Sequence, residues 1–261
     1  MARIPDSHPR KKSLESRQKI VDGSSMGLLA DSAMIAHGRG EAFDYLLGET
    51  TTESAREAIR ECAARLRNAR RPVISVNGNT VVLAGDGAIR LAAVLGCPVE
   101  VNLYYRTPSR VKGLISLLEE LRFNVSKEDA PDGFDGDWKD SVEGVSLLGD
   151  SPNFKIEGLE GPRSKCTREG IGRADTILVP LEDGDRCEAL ISLGKEVLVV
   201  DLNPLSRSSR MATVTMVDEV SRAFEGILSC ILNDSDYRQT DWDNRKSLKE
   251  SLKEIGDHFS E

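Results

Sequence analysis

The chain has 261 residues, of which 39% are hydrophobic and 30% charged, and it carries a net charge of −8. This length accommodates one large α/β domain, and the acidic balance argues against general nucleic-acid binding, which needs a basic footprint. Five cysteines without a C-x-x-C pair give neither a disulfide framework nor a zinc site, three histidines leave little for a multi-His metal centre, and no apolar run reaches membrane-spanning length. A reducing cytoplasm is the expected setting, with no nucleic-acid or membrane partner.

MARIPDSHPRKK has positive charge but no following apolar stretch, so it does not read as a signal peptide. Residues 13–23 read as a helix with a Ser cap and a closing Gly. In IAHGRGEAFDYLLGE (35–49), Gly38-Arg39-Gly40 reads as a loop entering a helix at Glu41. Backbone N–H groups and a guanidinium would then face a phosphate at that helix N-terminus; a glycine turn with a solvent-facing Arg is the other reading. Residues 51–71 form the clearest helix, with Ala55, Ile59, Ala63 and Leu66 on one face and basic residues in the last turn. Pro72 ends it, and PVISVN follows as a buried strand. GDGAIRLAAVLG reads as a helix, PVEVNLYY as a strand and SRVKGLISLLEELR as a helix.

Residues 124–165 interrupt this rhythm. Eight acidic residues against two lysines over 127–150 read as an acidic, mobile surface insertion. The alternation then resumes with strand 175–181, helix 187–194, strand 196–202, strand 213–218 and helix 218–233. Residues 241–261 form a packed terminal helix or a frayed tail. The expected organisation is a single α/β domain over 1–235, with an N-terminal helical segment (1–50), and a tail at 236–261. Short β-branched runs separated by helices imply a mostly parallel sheet with helices on both faces and extra N-terminal helices.

Ligands of such sheets sit at the carboxyl ends of the strands. PVISVN runs into Asn77-Gly78-Asn79, PVEVNLYY into Arg106, DTILVP into Glu182-Asp183-Gly184-Asp185-Arg186, and EVLVVDLN into Pro204-Leu205-Ser206-Arg207. Asn offers donor and acceptor, Gly admits close approach of a phosphate, and Arg grips anions with paired hydrogen bonds. Taken singly, each is also an ordinary turn or helix cap; four at one edge point to an anionic ligand. The G-x-x-x-x-G-K-[ST] phosphate loop, the G-x-G-x-x-G dinucleotide fingerprint and the G-x-S-x-G elbow are all absent.

IPDSHPRKKSLESRQKI, IAHGRGEAFDYLLGE, PVISVNGN, EVNLYYRTPSRV, ILVPLEDGDRCEAL and VVDLNPLSRSSRMATVTMVD together resemble the archaeal phosphopantothenate synthetases, or 4-phosphopantoate–β-alanine ligases. The likeness spans nearly the whole chain and lapses over about 124–165 and beyond 235. It implies a Rossmann-like sheet and a homodimeric enzyme of coenzyme A synthesis. It also implies joining of 4-phosphopantoate to β-alanine with ATP, giving AMP and diphosphate through an acyl adenylate. On that footing Arg17, Arg39, Asp183, Gly184, Asp185, Arg186, Asp201, Leu202 and Asn203 are expected around ATP, with Asp183 and Asp185 on Mg²⁺ or ribose. Asn77, Gly78, Asn79, Asn102, Tyr104, Arg106 and Arg207 are expected around the phosphorylated acid. Arg39 is expected to act in catalysis, and His37 and Glu41 are both possible bases. A nicotinamide-dependent oxidoreductase, a non-catalytic nucleotide sensor and a plain scaffold are the competing readings.

Overall fold

The computed structural model describes residues 4–180, 183–234 and 236–257. In chain order these form α1 (Lys11–Ser25), α2 (Ser32–Leu46), α3 (Glu53–Asn68), β1 (Pro72–Val76), α4 (Gly78–Leu95), β2 (Val99–Val101), α5 (Pro108–Val125) and α6 (Trp138–Glu143). There follow β3 (Leu147–Leu148), β4 (Phe154–Lys155), β5 (Lys165–Cys166), β6 (Thr176–Pro180), α7 (Gly184–Ser192) and β7 (Glu196–Val200). The chain continues through α8 (Arg207–Met211), β8 (Val214–Met216), α9 (Val220–Asn233) and α10 (Asn244–Asp257). Six strands pair in parallel in the order β3-β2-β1-β6-β7-β8, as expected of a Rossmann-like sheet.

Side chains alternate across this sheet with the period of two that a strand imposes. Ile74, Val76, Leu178, Leu198 and Val200 enter one core, while Val73, Ile177, Val179, Val197 and Val199 enter the other. Both faces are therefore covered, which is why the strands read as unbroken apolar runs. The first core is closed by α3, α4 and α9, through Ala58, Ile59, Ala88, Ile89 and Phe224. The second is closed by Cys187 and Leu190 of α7 and by Ile156, Cys166 and Ile171 from the segment around the antiparallel β4–β5 pair. That pair, and the edge strand β3, are not legible in the sequence: each has two residues, too few to show a period.

Several expected boundaries move. Helix α4 starts at Gly78 rather than 85, with a kink at Ala84 (φ −144°, ψ 31°) just before Gly85. Near the kink the Leu83 carbonyl accepts from Lys19 Nζ at 3.2 Å and Ser221 Oγ at 3.4 Å. With its full 18 residues α4 has the length and mean hydropathy of a spanning helix, but Asp86 and Arg90 interrupt its apolar run and 61% of it is buried inside the fold. The acidic stretch is not simply a mobile surface insertion: Trp138, Val142 and Val145 are buried in the first core, and Trp138 Nε1 donates to the Val125 carbonyl. The terminal stretch contains the packed helix α10, with Leu248 and Ser251 buried and Ser251 Oγ within 2.8 Å of Ser54 Oγ.

Candidate functional site

Strands at the carboxyl edge hand over to helices within a few residues, and the polar residue at each junction is a helix cap. Asn77 Oδ1 accepts from Thr80 N (3.1 Å) at α4, Thr107 Oγ1 from Arg110 N (3.2 Å) at α5, and Asp183 Oδ1 from Arg186 N (2.9 Å) at α7. Ser206 Oγ accepts from Ser209 N (3.0 Å) at α8. Caps of this kind satisfy orphan N–H groups of the first turn and turn the positive helix ends toward one edge. The strand order reverses between β1 and β6, the switch point where open α/β sheets leave a crevice. Asn77 Nδ2 spans it, donating to the Pro180 carbonyl at 3.2 Å.

Helix α2 lies over this edge, held by Asn79 Nδ2 on the Ala33 carbonyl (3.0 Å) and by Gly40 close to Leu202. A cavity opens on either side of it, and Ala36 lines both. The first, about 190 Å³, has apolar walls from Leu28, Leu29, Ala33 and Leu103. Ser32, Asn77, Asn79, Tyr104, Tyr105, Arg110 and Arg163 supply its polar groups, and among the described residues no carboxylate lines it. The second, about 360 Å³, lies past the ends of β7 and β8 and mixes charges: Glu41, Asp44, Glu49, Asp218 and Glu219 with Arg10, Lys12, Lys19 and Arg222.

Ion pairs order the second cavity. Arg10 bridges Glu41 (2.9 Å) and Glu49 (2.8 Å), and Arg17 meets Glu41 at 2.7 Å. The Arg17 hydrogen bond, followed by Arg10, holds the Glu41 carboxyl below its usual range; the Arg10 hydrogen bond does the same for Glu49. Arg222 clamps Asp44 (2.5 Å) and Asp218 (2.7 Å), yet burial pushes the Asp44 carboxyl up. His37 lines the same cavity with Nε2 enclosed and lacking a hydrogen-bond partner. Burial lowers its pKa, so the neutral ring is favoured.

The structure gathers the anticipated segments along this one edge but changes what several of them do. Gly38, Arg39 and Gly40 lie inside α2, not in a loop before it. Their N–H groups therefore belong to the helix ladder, and no helix N-terminus begins at Glu41. Arg39 remains exposed on α2, its charge felt by Asp201. Asn77, Gly78 and Asn79 are the cap and first turn of α4 and line the first cavity. Asn102 is 1% exposed and donates to the Arg163 and Lys165 carbonyls at 3.3 and 3.0 Å. Tyr104 is exposed at the mouth of the first cavity. Arg106 turns away to the Gly149 and Asp150 carbonyls. Arg207 pairs with Asp185 (2.8 Å) and Glu188 (3.2 Å).

Arg186 is fully buried and donates to Ser75 Oγ at 2.8 Å, so its charge is spent inside the fold. Leu202 is a buried apolar plug packed with Leu47, Val217 and Leu248. Asp201 accepts from Asn203 N (2.9 Å) and Ser206 Oγ (2.6 Å), and burial pushes its carboxyl up. Gly184 is required by close approach: a Cβ there would stand 2.6 Å from Arg207 Cβ. Glu182 lies outside the described residues. As a metal pair Asp183 and Asp185 do not fit, because Asp183 is engaged by Arg163 (2.9 Å) and Asp185 by Arg207. Among the described residues no cluster of three metal-ligating side chains occurs. Glu49, Arg110 and Arg163 were not anticipated. An Arg three residues beyond a helix cap, or next to a Gly-Pro turn, carries no local signal of where it points.

The family model described as phosphopantothenate/pantothenate synthetase matches residues 54–258. The chain is 44% identical to the 4-phosphopantoate–β-alanine ligase of Thermococcus onnurineus, over all of this chain and 95% of that protein. It is 44% identical, with the same coverage, to the protein of that name from Thermococcus kodakarensis. To that from Methanosarcina mazei it is 41% identical, over 99% of this chain and 96% of the relative.

Proposed function

The chain belongs to the phosphopantothenate/pantothenate synthetase family, and from that premise we propose that it is an ATP-dependent ligase. It joins 4-phosphopantoate to β-alanine, giving 4′-phosphopantothenate for coenzyme A synthesis. A carboxylate is a poor electrophile toward an amine. Attack of the pantoate carboxylate oxygen on the α-phosphorus of ATP breaks the α–β phosphoanhydride bond, releases diphosphate and leaves a phosphopantoyl adenylate. The β-alanine amine then adds to the acyl carbon, loses a proton and expels AMP. The protein's share is to position and to balance charge.

The observation that carries this reading is the pair of unlike cavities flanking the switch point, one lined by guanidinium groups and, among the described residues, by no carboxylate, the other rich in carboxylates. The first suits the anionic acid and the second the ammonium of β-alanine. The nucleotide spans the edge between them. Arg39 and Arg17 reach its phosphates, and Asp201 and Asn203 its ribose. Mg²⁺ enters only as the companion of the nucleotide phosphates, since the carboxylates at the α7 start are engaged elsewhere. Glu41, held by two guanidinium groups, is a weak base; the neutral His37 ring, with an unpartnered Nε2, is the better acceptor for the amine proton. The reading includes a cytoplasmic setting, supported by five cysteines among which no disulfide forms.

The homodimer belongs to this reading too. Met34, Ile35, Tyr45 and Leu46 are exposed on α2, an apolar surface that pairing of two copies would cover. Light scattering on a size-exclusion column should give the mass of two chains, and that of one for Ile35→Glu. For the reaction itself, ATP, 4-phosphopantoate and β-alanine are incubated with the protein and the nucleotide product is identified. AMP is expected. ADP would refute the adenylate route while leaving a ligase, and no turnover would refute both.

A further inference from the structure

We propose that Arg110 and Arg163 make the enzyme select the phosphorylated acid over its unphosphorylated counterpart, holding the phosphate inside the cavity between α2 and the starts of α4 and α5. This rests on the ligase reading and names the residues that set its substrate class. In a chain with 43 acidic residues, a cavity lined by two arginines and, among the described residues, by no carboxylate favours a multiply charged anion. The arginines expected to serve there are elsewhere: Arg106 on the Gly149 and Asp150 carbonyls, Arg207 on Asp185 and Glu188.

Arg163 is held for the task. Its side chain is 8% exposed and donates to Asp183 Oδ2 at 2.9 Å, while Asn102 Nδ2, anchored in the sheet edge, grips its carbonyl at 3.3 Å. Arg110 has one Nη on the Tyr105 carbonyl, and its Nε finds no acceptor. Together with Arg163 it lines the cavity. Across from these cations, Leu28, Leu29 and Leu103 are each about 5% exposed and make a rigid apolar wall. Leu29 packs so closely that a Cβ on Gly78 would stand 2.8 Å from it, and Leu28 does the same to Gly113. A short acid with a quaternary, dimethyl-bearing carbon next to a phosphoryl group meets both halves of this lining. A hydroxyl in place of the phosphate would forgo the charge-assisted bonds that the two cavity guanidinium groups, Arg163 already paired with Asp183, offer to an anion.

The test compares kcat/KM for the phosphorylated and unphosphorylated acids in wild type, Arg110→Gln, Arg163→Gln and Arg110→Lys, together with calorimetric binding of each acid without ATP. Both Gln variants should lose about 10- to 100-fold for the phosphorylated acid and little for the other, so the preference narrows. Arg110→Lys should recover part of it, and KM for ATP should not move in the Arg110 variants. An equal loss for both acids, or an unchanged preference in both Gln variants, overturns the proposal. If wild type forms no AMP yet binds the phosphorylated acid, and the Gln variants do not, the pocket stands and the ligase reading fails. Wild type that binds neither acid overturns both.

Discussion

Glu100 is fully buried on β2, and its two carboxylate oxygens accept from Thr167 N at 2.6 Å and Ile171 N at 2.8 Å. It ties the turn after β5 to the sheet, and that turn follows directly on the segment carrying Arg163. Glu100→Gln keeps the shape but sets an amide NH₂ against one of the two N–H donors. One charge-assisted bond worth about 1.5–3 kcal/mol is lost, and a buried N–H is left without an acceptor at about 1–3 kcal/mol. Against this, neutralising the side chain relieves the desolvation that pushes the Glu100 carboxyl above its ordinary range. We expect a net loss of about 2 kcal/mol, out of a total of about 5–15. With a urea m-value of about 3 kcal/mol per M, the midpoint should fall by about 0.7 M. Amides near 167–171 should exchange faster, and KM for the phosphorylated acid should rise as Arg163 loosens. The sign with pH follows from the raised folded-state value. The folded chain holds the proton longer, so wild-type stability from this group declines as pH rises above about 4.5, the usual glutamate value. The variant lacks that slope. A midpoint within about 0.2 M of wild type and unchanged exchange at 167–171 would show that the carboxylate does not anchor the turn.

Replacing His37 with Gln should lower kcat by about 100-fold or more while leaving ATP binding intact. The acid limb of the wild-type rate profile should lie below the ordinary histidine value of 6.5 and vanish in the variant; an unaltered profile removes His37 as the base. Gly184→Ala forces a Cβ toward Arg207 Cβ, 2.6 Å away, and should destabilise the fold by about 1–3 kcal/mol, read as a drop in thermal midpoint. Because Arg17 and Arg10 hold the Glu41 and Glu49 carboxyls below the usual 4.5, their contribution is complete above about that pH. It fades as the pH falls through the lowered folded-state values. Arg10→Gln should flatten this acid limb of a stability–pH curve, and an unchanged limb would place the acid sensitivity elsewhere.

The strands β1, β6 and β7, the helix α3 and the placement of polar residues at the carboxyl edge follow from local rules. Apolar runs bounded by Pro, Gly or charge need both sheet faces covered, and the amphipathic period of residues 55–66 needs one side buried. That Asn77, Thr107, Asp183 and Ser206 cap helices was also open to reading, since such residues satisfy N–H groups only a few positions away. The course of α2 was not. Two glycines at 38 and 40 lower helix propensity locally, and contacts from residues far along the chain, Asn79 on Ala33 and Leu202 beside Gly40, override that preference.

Long side chains divide the local from the tertiary most sharply. Several arginines stand in or near the expected loops, and nothing within a few residues tells which will reach a ligand. Arg186 enters the core, Arg106 and Arg207 settle on carbonyls or carboxylates, and Arg110 and Arg163 face the first cavity. For Arg163 and Arg186 the choice depends on acceptors 20 and 111 positions away, Asp183 and Ser75. Local spacing determined the elements, the edge on which they present polar groups and the family they resemble. Only the folded chain decided the partners of each charge, because a guanidinium on a flexible stem goes where distant acceptors and burial make its free energy lowest.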